Sequence, residues 1–596
     1  MDKIPSVFPP IIQVEDCQFP FPVQFLYIKP VRCFRMKGGM ELKRWSPILT
    51  IMAEAASAVE ELGTTENGTT VAGSPIDPFS SSDDPEIIGS ALLDNVIPPS
   101  HPYRTLVLCF DGTGDQFDSD NSNIISFFTM LKKDDNTQQM VYYQAGIGTY
   151  TTPQVATPLM AKFSKALDEA IAWNLHAHVM GGYEFLMQNC KSFNAILITL
   201  FGWEPQYSAP FSDTAGDRIC IFGFSRGAYT ARSLAGMIHK VGILPRCNHQ
   251  QVPFAYKMYT REDELGWAQS NAFKKAFSVH ADIEFLGVWD TVNSVGIFPR
   301  RLPFTTSNTI VRTFRHAVSL DERRAKFKAN LWNRPNANEE TLGISSSKKK
   351  HHDQPKKVHK SHSLRALEAK YNKDHSQPTD VEEVWFSGCH CDIGGGSVSN
   401  DTTINLARIP LRWMIRECFK TNTGIMFDRD GLRDLGMNPD ALYPEVLPRP
   451  PPLPVGDACI QDIPTEGSLS QAQKDSALKN YSGDTSELGA GAVVTQTEEQ
   501  LELLDALSPI YDQLSLVWFW WILEFFPIKQ RYQRGDNSWS SYFGWNMGRG
   551  RIIPKQKKQG VKVHRSVKMR LEAQHKDGSK YQPKANIDFA NATWVD

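Results

Sequence analysis

A serine flanked by two glycines is the first feature of the sequence that could carry out covalent chemistry. The stretch ICIFGFSRGAYTAR, residues 219–232, holds Gly223, Ser225 and Gly227 in a Gly-x-Ser-x-Gly pattern. An apolar run typical of a buried strand precedes the pattern, and a run typical of a helix follows it. Glycines on both sides permit a sharp strand-to-helix turn that forces the central serine outward. The pattern predicts a nucleophilic Ser225; the alternative is an ordinary turn with a capping serine.

A base and an orienting carboxylate are needed because a serine hydroxyl is a weak nucleophile at neutral pH. In α/β-hydrolase folds they follow the serine in the order acid, then histidine. Asp290 ends one apolar run, and His390 follows another and precedes a glycine-rich stretch. Asp321 and Asp392 are rival acids, although Asp392 lies so near His390 in sequence that an extended chain would point it away. We expect a triad of Ser225, Asp290 and His390; the alternatives are a turn-capping aspartate and a structural histidine.

Acyl transfer also needs donors for the oxyanion that forms on the substrate. We expect one donor to be the backbone N–H of Arg226, the residue after the nucleophile. The loop after the first predicted strand supplies the best candidates for a second, the backbone N–H groups of Gly112 and Thr113. Asp111 is expected to brace this loop. A phosphatase-type Asp-x-Asp-Gly-Thr reading fails, because Cys109 stands at its first position.

Metal and cofactor sites are not predicted. The run Cys389-His390-Cys391-Asp392 is the best metal candidate, but adjacent side chains in so short a run cannot all reach one ion. The 10 cysteines are otherwise spread singly along the chain. Such spacing favours a reducing compartment over a disulfide framework.

Composition excludes several protein classes. The 596 residues are 41% hydrophobic and 22% charged, which excludes a wholly disordered or collagen-like chain. Lys and Arg number 64 against 66 Asp and Glu, so no basic field favours nucleic-acid binding. The densest apolar run, Val517–Phe526, contains Glu524 and is half the length of a bilayer span of about 20 residues. Without a recognisable signal peptide, the sequence predicts a cytoplasmic protein; nuclear import is a weaker alternative.

Short apolar strands that alternate with amphipathic helices predict an α/β fold with a mostly parallel sheet and helices on both faces, as in α/β hydrolases. The predicted strands are a run beginning near Arg104, Gln139–Tyr143, Arg218–Phe222, Ile283–Trp289 and Val384–Phe386. Helices are predicted over residues 163–179 and over Ala228–Ile238.

Four regions are predicted along the chain. Residues 1–100 are a mostly disordered extension, and 101–446 form the hydrolase domain. A lysine- and histidine-rich stretch at 344–363 is interpreted as a flexible basic insertion in that domain; the alternatives are a basic patch and a nuclear import signal. Residues 447–500 are a Pro-rich disordered linker, and 501–596 are a C-terminal aromatic and helical portion that completes the domain, followed by a tail.

Six segments, in chain order, carry a resemblance to a known family: LVLCFDGTGD, YYQAGIGT, GFSRGAYTARSLAGMI, FLGVWDTVNSVG, RHAVSLDERRAKF and WFSGCHCDIGGG. They resemble the uncharacterised alpha/beta hydrolase domain DUF2235, which also forms the catalytic domain of type VI secretion phospholipase effectors of the Tle1 type. Fungal-type members carry a C-terminal portion like Val563–Leu571, which this chain shares. The resemblance covers roughly residues 103–446 and 501–571.

The resemblance implies a phospholipase A that acts on membrane lipids through a triad at Ser225, Asp290 and His390. Residues 1–100, the basic insertion and the linker lie outside the family pattern, so serine ester hydrolase is the safer statement. The alternatives are an acyltransferase with the same nucleophile and an inactive interaction module. We expect an ester or phospholipid substrate, peripheral membrane contact and no nucleic acid; the oligomeric state stays open.

The C-terminal portion contains a dense aromatic cluster: Trp518, Phe519, Trp520, Trp521, Phe525 and Phe526. Trp518, Trp521 and Phe525 would share one face of a helix, which favours a helix packed against the core. The alternatives are a cover over an acyl-binding groove and a surface that contacts a membrane.

Overall fold

The protein is represented by a computed structural model. It describes residues 95–113, 115–146, 160–190, 216–292, 301–333, 364, 367–368, 378–463, 496–518, 520–534, 538–554, 556 and 560–596, with the backbone alone at 160–174, 528, 531, 533 and 539. The predicted basic insertion at 344–363 lies outside these residues. So do residues 1–94 of the predicted extension and 464–495 of the predicted linker, and the proposed domain boundaries stay predictions.

Strands in the described residues are numbered in chain order. They are β1 (Val96–Ile97), β2 (Thr105–Phe110), β3 (Gln139–Gln144), β4 (Arg218–Phe224), β5 (Ile283–Trp289), β6 (Val311–Ser319), β7 (Asp380–Phe386), β8 (Phe427–Asp428), β9 (Cys459–Ile460), β10 (Ile528–Gln533), β11 (Trp539–Gly544), β12 (Val561–His564), β13 (Gln574–His575) and β14 (Ala592–Val595).

Helices are numbered in the same way. They are α1 (Asn123–Thr129), α2 (Met160–Asn189), α3 (Ser225–Val241), α4 (Val252–Thr260), α5 (Glu264–Phe277), α6 (His390–Gly394), α7 (Arg408–Lys420), α8 (Arg429–Asp434), α9 (Glu498–Ala506), α10 (Gln513–Leu516), α11 (Trp520–Glu524) and α12 (Arg565–Glu572). Within the described residues, no helix combines the length and the apolar character that a membrane crossing needs.

Eight strands form one sheet in the order β14-β12-β7-β6-β5-β4-β2-β3. Every neighbouring pair in it is parallel. The remaining strands form three two-stranded pairs, of which β10 and β11 make an antiparallel hairpin. The predicted α/β fold with a mostly parallel sheet is therefore confirmed.

The sheet is buried on both faces, which explains why its strands are continuous apolar runs. In β4, Phe222 and Phe224 face one hydrophobic core, and Ile219 and Ile221 face the other. Helices α2, α3, α4 and α5 supply residues to the core that contains Ile221. Helices α1, α7, α9 and α12 supply residues to the core that contains Phe222, so helices cover both faces.

The C-terminal part of the chain extends the sheet beyond β7. Strand β12 pairs with β7, and β14 then pairs with β12, both in parallel. Buried ion pairs link this part to earlier chain, since Glu502 accepts from Arg449 at 2.9 Å and from Arg565 at 2.8 Å. The sequence analysis did not predict β6, β12 or β14.

The aromatic cluster is not the packed helix that helical spacing favoured. Helix α11 covers only Trp520–Glu524, and Trp518 and Phe525 lie outside it. Their side chains are 74% and 60% exposed, whereas Glu524 is fully buried. The physical reason is Pro527, because a proline disfavours helical backbone in the residue before it and so ends the helix early.

Candidate active site

The C-terminal ends of three strands bring the predicted site residues to one edge of the sheet. Ser225 follows β4 directly as the first residue of α3, and Asp290 follows β5 directly. His390 begins α6, shortly after β7. Because neighbouring strands are parallel, these ends share the edge at which open α/β sheets bind ligands.

The turn at Ser225 is as tight as the glycine pattern predicted. Ser225 has a φ of 58°, in the left-handed region that non-glycine residues rarely adopt. A Cβ on Gly223 would lie 2.6 Å from the carbonyl oxygen of Gly227. A Cβ on Gly227 would lie 2.2 Å from the carbonyl oxygen of Asp111. Only glycine fits at these two positions, and backbone strain at a serine is typical of functional sites.

Ser225, His390 and Asp290 form a continuous hydrogen-bonded chain. The Nε2 atom of His390 is 2.7 Å from Oγ of Ser225, and its Nδ1 atom is 2.6 Å from Oδ2 of Asp290. All three side chains are buried, and Ser225 is 5% exposed. The serine can pass a proton to the ring, and the carboxylate can hold the opposite ring nitrogen in its protonated form.

Two aromatic rings hold the imidazole of His390. The ring of Phe224 is 4.7 Å from it, centroid to centroid, and the ring of Phe327 is 4.9 Å from it. Burial lowers the pKa of His390, while the bond to Asp290 opposes that shift. The net direction is downward, so the ring is neutral near pH 7 and can accept a proton.

An arginine that the sequence analysis missed pairs with Asp290. The guanidinium of Arg551 donates to both carboxylate oxygens, with Nη2 2.8 Å from Oδ2. The backbone N–H of Ser319 donates to Oδ1 at 2.9 Å. Burial alone would raise the pKa of Asp290, but the charges and hydrogen bonds of Arg551 and His390 hold it well below its usual range.

Arg551 is itself enclosed by the site. Its side chain is buried, and it also donates to the backbone carbonyls of Ser319 and Phe327, at 3.1 Å and 2.7 Å. Asp290 and Arg551 stand 261 positions apart in sequence. No motif or spacing pattern around residue 551 could have indicated the pair.

The two rival acids serve other partners. Asp392 accepts from the backbone N–H of Cys389 and from the hydroxyl of Ser397, and burial raises its pKa to about 7. Asp321 accepts from the hydroxyl of Tyr581 at 2.7 Å. Both act as structural braces in this arrangement.

The loop after β2 lies against the start of α3. Asp111 accepts from the hydroxyls of Ser122 and Tyr143, at 2.6 Å and 2.8 Å, which is a bracing arrangement. It also accepts from the N–H of Gly112 at 2.8 Å. The neighbouring carboxylate therefore competes for this N–H, and the expected role of Gly112 as an oxyanion donor stays a prediction.

Thr113 and Arg226 are the other expected donors. The Thr113 hydroxyl is buried, and no atom of the described chain is its hydrogen-bond partner. Buried hydroxyls normally have a partner, so this one is available to a ligand. Arg226 is the second residue of α3, where backbone N–H groups point out of the helix toward its positive end.

One cavity in the described residues lies apart from the predicted triad. A cavity of about 560 Å³ is lined by Asp321, Cys389 and Arg570 among others, and not by Ser225. Across the residues that the structure covers, no cluster of three His, Cys, Asp or Glu side chains could hold a metal ion.

Comparison with known proteins gives one family match. The model of the family described as T6SS, Phospholipase effector Tle1-like, catalytic domain matches residues 104–417. This range contains Ser225, Asp290 and His390 and ends before Arg551. The uncharacterized protein YEL023C of Saccharomyces cerevisiae is 27% identical over 585 residues, with 80% of each chain covered.

Two solved structures also match at low similarity. An uncharacterized protein from Pseudomonas aeruginosa is 16% identical with a TM-score of 0.31, covering 60% of this chain and 51% of that one. The Tle1 effector bound to the VgrG spike from the type VI secretion system is 18% identical with a TM-score of 0.23, covering 49% and 51%. The chain thus spans about half the length of each solved structure.

Proposed function

The chain belongs to the family of Tle1-like phospholipase effector catalytic domains, and from that premise we propose that it is a serine hydrolase that cleaves carboxylic esters of lipids. The observation that carries the proposal is the 2.7 Å contact between His390 Nε2 and Ser225 Oγ, with Asp290 on the other ring nitrogen. A histidine with a purely structural role would not require hydrogen bonds to a serine in a strained backbone conformation at one ring nitrogen and to an ionised carboxylate at the other.

Acylation begins when Oγ of Ser225 attacks the carbonyl carbon of the ester. His390 Nε2 takes the serine proton and then gives it to the departing alcohol, leaving the acyl group on the serine. A water that His390 deprotonates next attacks the acyl carbon, and the serine recovers its proton when the carboxylic acid leaves. Asp290 holds the tautomer of His390 and stabilises the imidazolium in both steps.

Negative charge on the substrate carbonyl oxygen needs donors in each step. We assign to it the backbone N–H of Arg226 and the hydroxyl of Thr113, whereas the sequence analysis had named the backbone N–H of Thr113. Removing one such donor typically lowers kcat by about 100- to 1,000-fold. The buried, unpartnered state of the Thr113 hydroxyl supports this assignment.

Arg551 is assigned as a positioning residue. It does not reach the serine or the histidine, and it acts through Asp290 by fixing the carboxylate and keeping it ionised. A buried carboxylate that lost its charge could not stabilise the imidazolium. Residues that orient a reacting group in this way commonly contribute about 10- to 100-fold.

Fluorophosphonate labelling tests the proposal. A fluorophosphonate probe should modify the wild-type protein on Ser225, located by mass spectrometry of the labelled peptide. The variants Ser225→Ala and His390→Ala should stay unlabelled, whereas Ser233→Ala, a buried serine on the same helix, should label normally. Labelling at a residue other than Ser225 would contradict the assignment. A folded wild-type protein that neither reacts with the probe nor hydrolyses esters would favour an interaction module.

A further inference from the structure

The aromatic segment, defined as residues 516–552, exposes much of the apolar side-chain surface of the molecule. Of the 17 large hydrophobic side chains exposed in the described residues, 10 lie in this segment. They are Leu516, Val517, Trp518, Ile522, Phe525, Phe526, Phe543, Trp545, Met547 and Ile552. A concentration of exposed apolar side chains marks a surface that binds a protein, a ligand or a membrane.

The aromatic segment rests on a fixed base. The buried carboxylate of Glu524 accepts from the backbone N–H groups of Ala325 and Gly548, and from the side-chain amide of Asn546 at 2.6 Å. These bonds tie α11 both to the chain near β6 and to the chain after β11. The exposed side chains therefore belong to a braced element.

The aromatic segment adjoins the candidate active site. The ring of Trp520 is 5.5 Å from the ring of Phe327, and Phe327 is in turn 4.9 Å from the ring of His390. Arg324 lies over both aromatic rings, 3.5 Å from that of Phe327 and 4.8 Å from that of Trp520. A partner that covers this surface would lie beside the edge that holds Ser225.

The charges of the segment select the kind of partner. Lys529, Arg534 and Arg549 are exposed, whereas Glu524 is the one carboxylate in the described residues of the segment and is fully buried. Exposed tryptophan and phenylalanine mixed with cations matches the interface of a bilayer that contains anionic lipid. A symmetric pair of chains would instead bring like charges together.

We propose that the aromatic segment docks the protein on an anionic phospholipid bilayer. Its aromatic side chains enter the interfacial layer, and the cations contact headgroups at the surface. The sheet edge that holds Ser225 then faces the lipid. The docking proposal rests on the exposure and the charge of these side chains, and it does not depend on the chemistry proposed for Ser225.

Vesicle flotation tests the docking surface. The full chain carrying Ser225→Ala, which leaves lipid intact, is mixed with vesicles of phosphatidylcholine or of phosphatidylcholine with phosphatidylserine. It should float with the second kind, and added salt should weaken the binding. A triple substitution, Trp518→Ala with Phe525→Ala and Phe526→Ala, should weaken binding by about tenfold or more.

Two matched variants keep the outcome interpretable. Leu265→Ala with Phe277→Ala removes exposed apolar side chains from α5 and should float like the parent. Lys529→Glu with Arg549→Glu leaves the aromatic side chains in place and should abolish the preference for phosphatidylserine. Fluorophosphonate labelling of the triple variant with Ser225 restored should match that of wild type, showing that the site is intact.

Three results would overturn the docking proposal. The parent could fail to float with phosphatidylserine vesicles, or the triple and charge-reversed variants could float as the parent does. Alternatively, sedimentation could show that the parent is a dimer which the triple substitution converts to a monomer, so that a second copy covers the surface. Because flotation uses a protein without its nucleophile, none of these results bears on hydrolysis.

Discussion

The family-matched range, residues 104–417, and the C-terminal region, residues 496–596, build the site in different ways. In the first, parallel strands carry the reactive side chains to one edge through backbone geometry. In the second, a single charged side chain reaches into the site, as Arg551 does with Asp290. The sheet thus positions the three predicted site residues, while Arg551 of the later region pairs with one of them and keeps the pKa of its carboxyl low.

The largest expected loss comes from the matched range. Asp290→Asn should lower kcat for a soluble ester by about 10,000-fold, because an amide cannot hold the productive tautomer of His390 or stabilise its charge. Asp577→Asn, at an exposed carboxylate, is the control and should not change kcat. Circular dichroism checks that both variants fold. A folded Asp290→Asn protein within tenfold of wild type would remove Asp290 from the mechanism.

A smaller loss is expected from the C-terminal region. Arg551→Ala should lower kcat by about 100-fold, whereas Arg549→Ala, at an exposed arginine two residues away, should leave it unchanged. Without the guanidinium, a positive charge beside the Asp290–His390 pair is lost and the pair takes up a proton more easily, so the acid limb of the pH profile of kcat/KM should move to higher pH. Arg551→Lys keeps a positive charge and should recover part of both effects.

The stability of the Arg551→Ala protein tests the role of Arg551 in a second way. The folded-state pKa of Asp290 is depressed, so its ionisation stabilises the fold above the unfolded pKa of about 3.9, and this stability is lost as pH falls through the folded pKa. Breaking the buried pair should lower the free energy of unfolding at pH 7 by about 3 kcal/mol, measured with urea. A loss of stability with an unchanged pH profile in the folded fraction would make Arg551 purely structural.

A substitution at Thr113 tests the proposed oxyanion donor within the family-matched range. Thr113→Val should lower kcat by about 100-fold, because the oxyanion loses a donor, without lowering the melting temperature, because the hydroxyl has no partner to lose. Thr113→Ser, which keeps the hydroxyl, should retain most of the activity. Equal activity of the valine and serine variants would assign the donor role elsewhere.

Glu524 is expected to show the smallest effect on activity. Glu524→Gln should lower the free energy of unfolding by about 2 kcal/mol, because an amide presents its own N–H groups to the donors that the carboxylate now accepts from. Proteolytic cleavage within residues 516–552 should also become faster. Glu572→Gln, at an exposed position on α12, is the matched control. A Glu524→Gln protein with the stability and the cleavage rate of wild type would show that Glu524 does not brace the segment.

The sequence predicted the sheet edge well because the relevant signals are local and repeated. Each strand is an apolar run with a turn after it, and parallel pairing then brings Ser225, Asp290 and His390 together; their catalytic roles stay predictions. The role expected of Gly112 stays a prediction, and the sequence did not indicate that its N–H donates to the nearby carboxylate of Asp111. Arg551 lay beyond prediction, because its pairing with Asp290 depends on the path of the chain between the recognised segments and not on any local pattern.

The aromatic cluster shows how a periodic pattern can mislead. Spacing of three and four residues assigns Trp518 and Phe525 to one helical face only if a helix spans both. Helix α11 is five residues long and ends at Glu524. Trp518 therefore lies before the helix and Phe525 after it, and both side chains are exposed to solvent. The proline at 527 was visible in the sequence and is the feature that limits the helix.

The distance between Asp290 and Arg551 along the chain also orders events during synthesis. The two residues are 261 positions apart, which corresponds to roughly 13–52 s of translation at about 5–20 residues per second. The last 161 of those positions follow His390, so for about 8–32 s a nascent chain holds Ser225, Asp290 and His390 but lacks the guanidinium that pairs with the buried carboxylate. On the roles proposed for these residues, a chain that stops short of residue 551 is expected to be at least as impaired in hydrolysis as the Arg551→Ala variant.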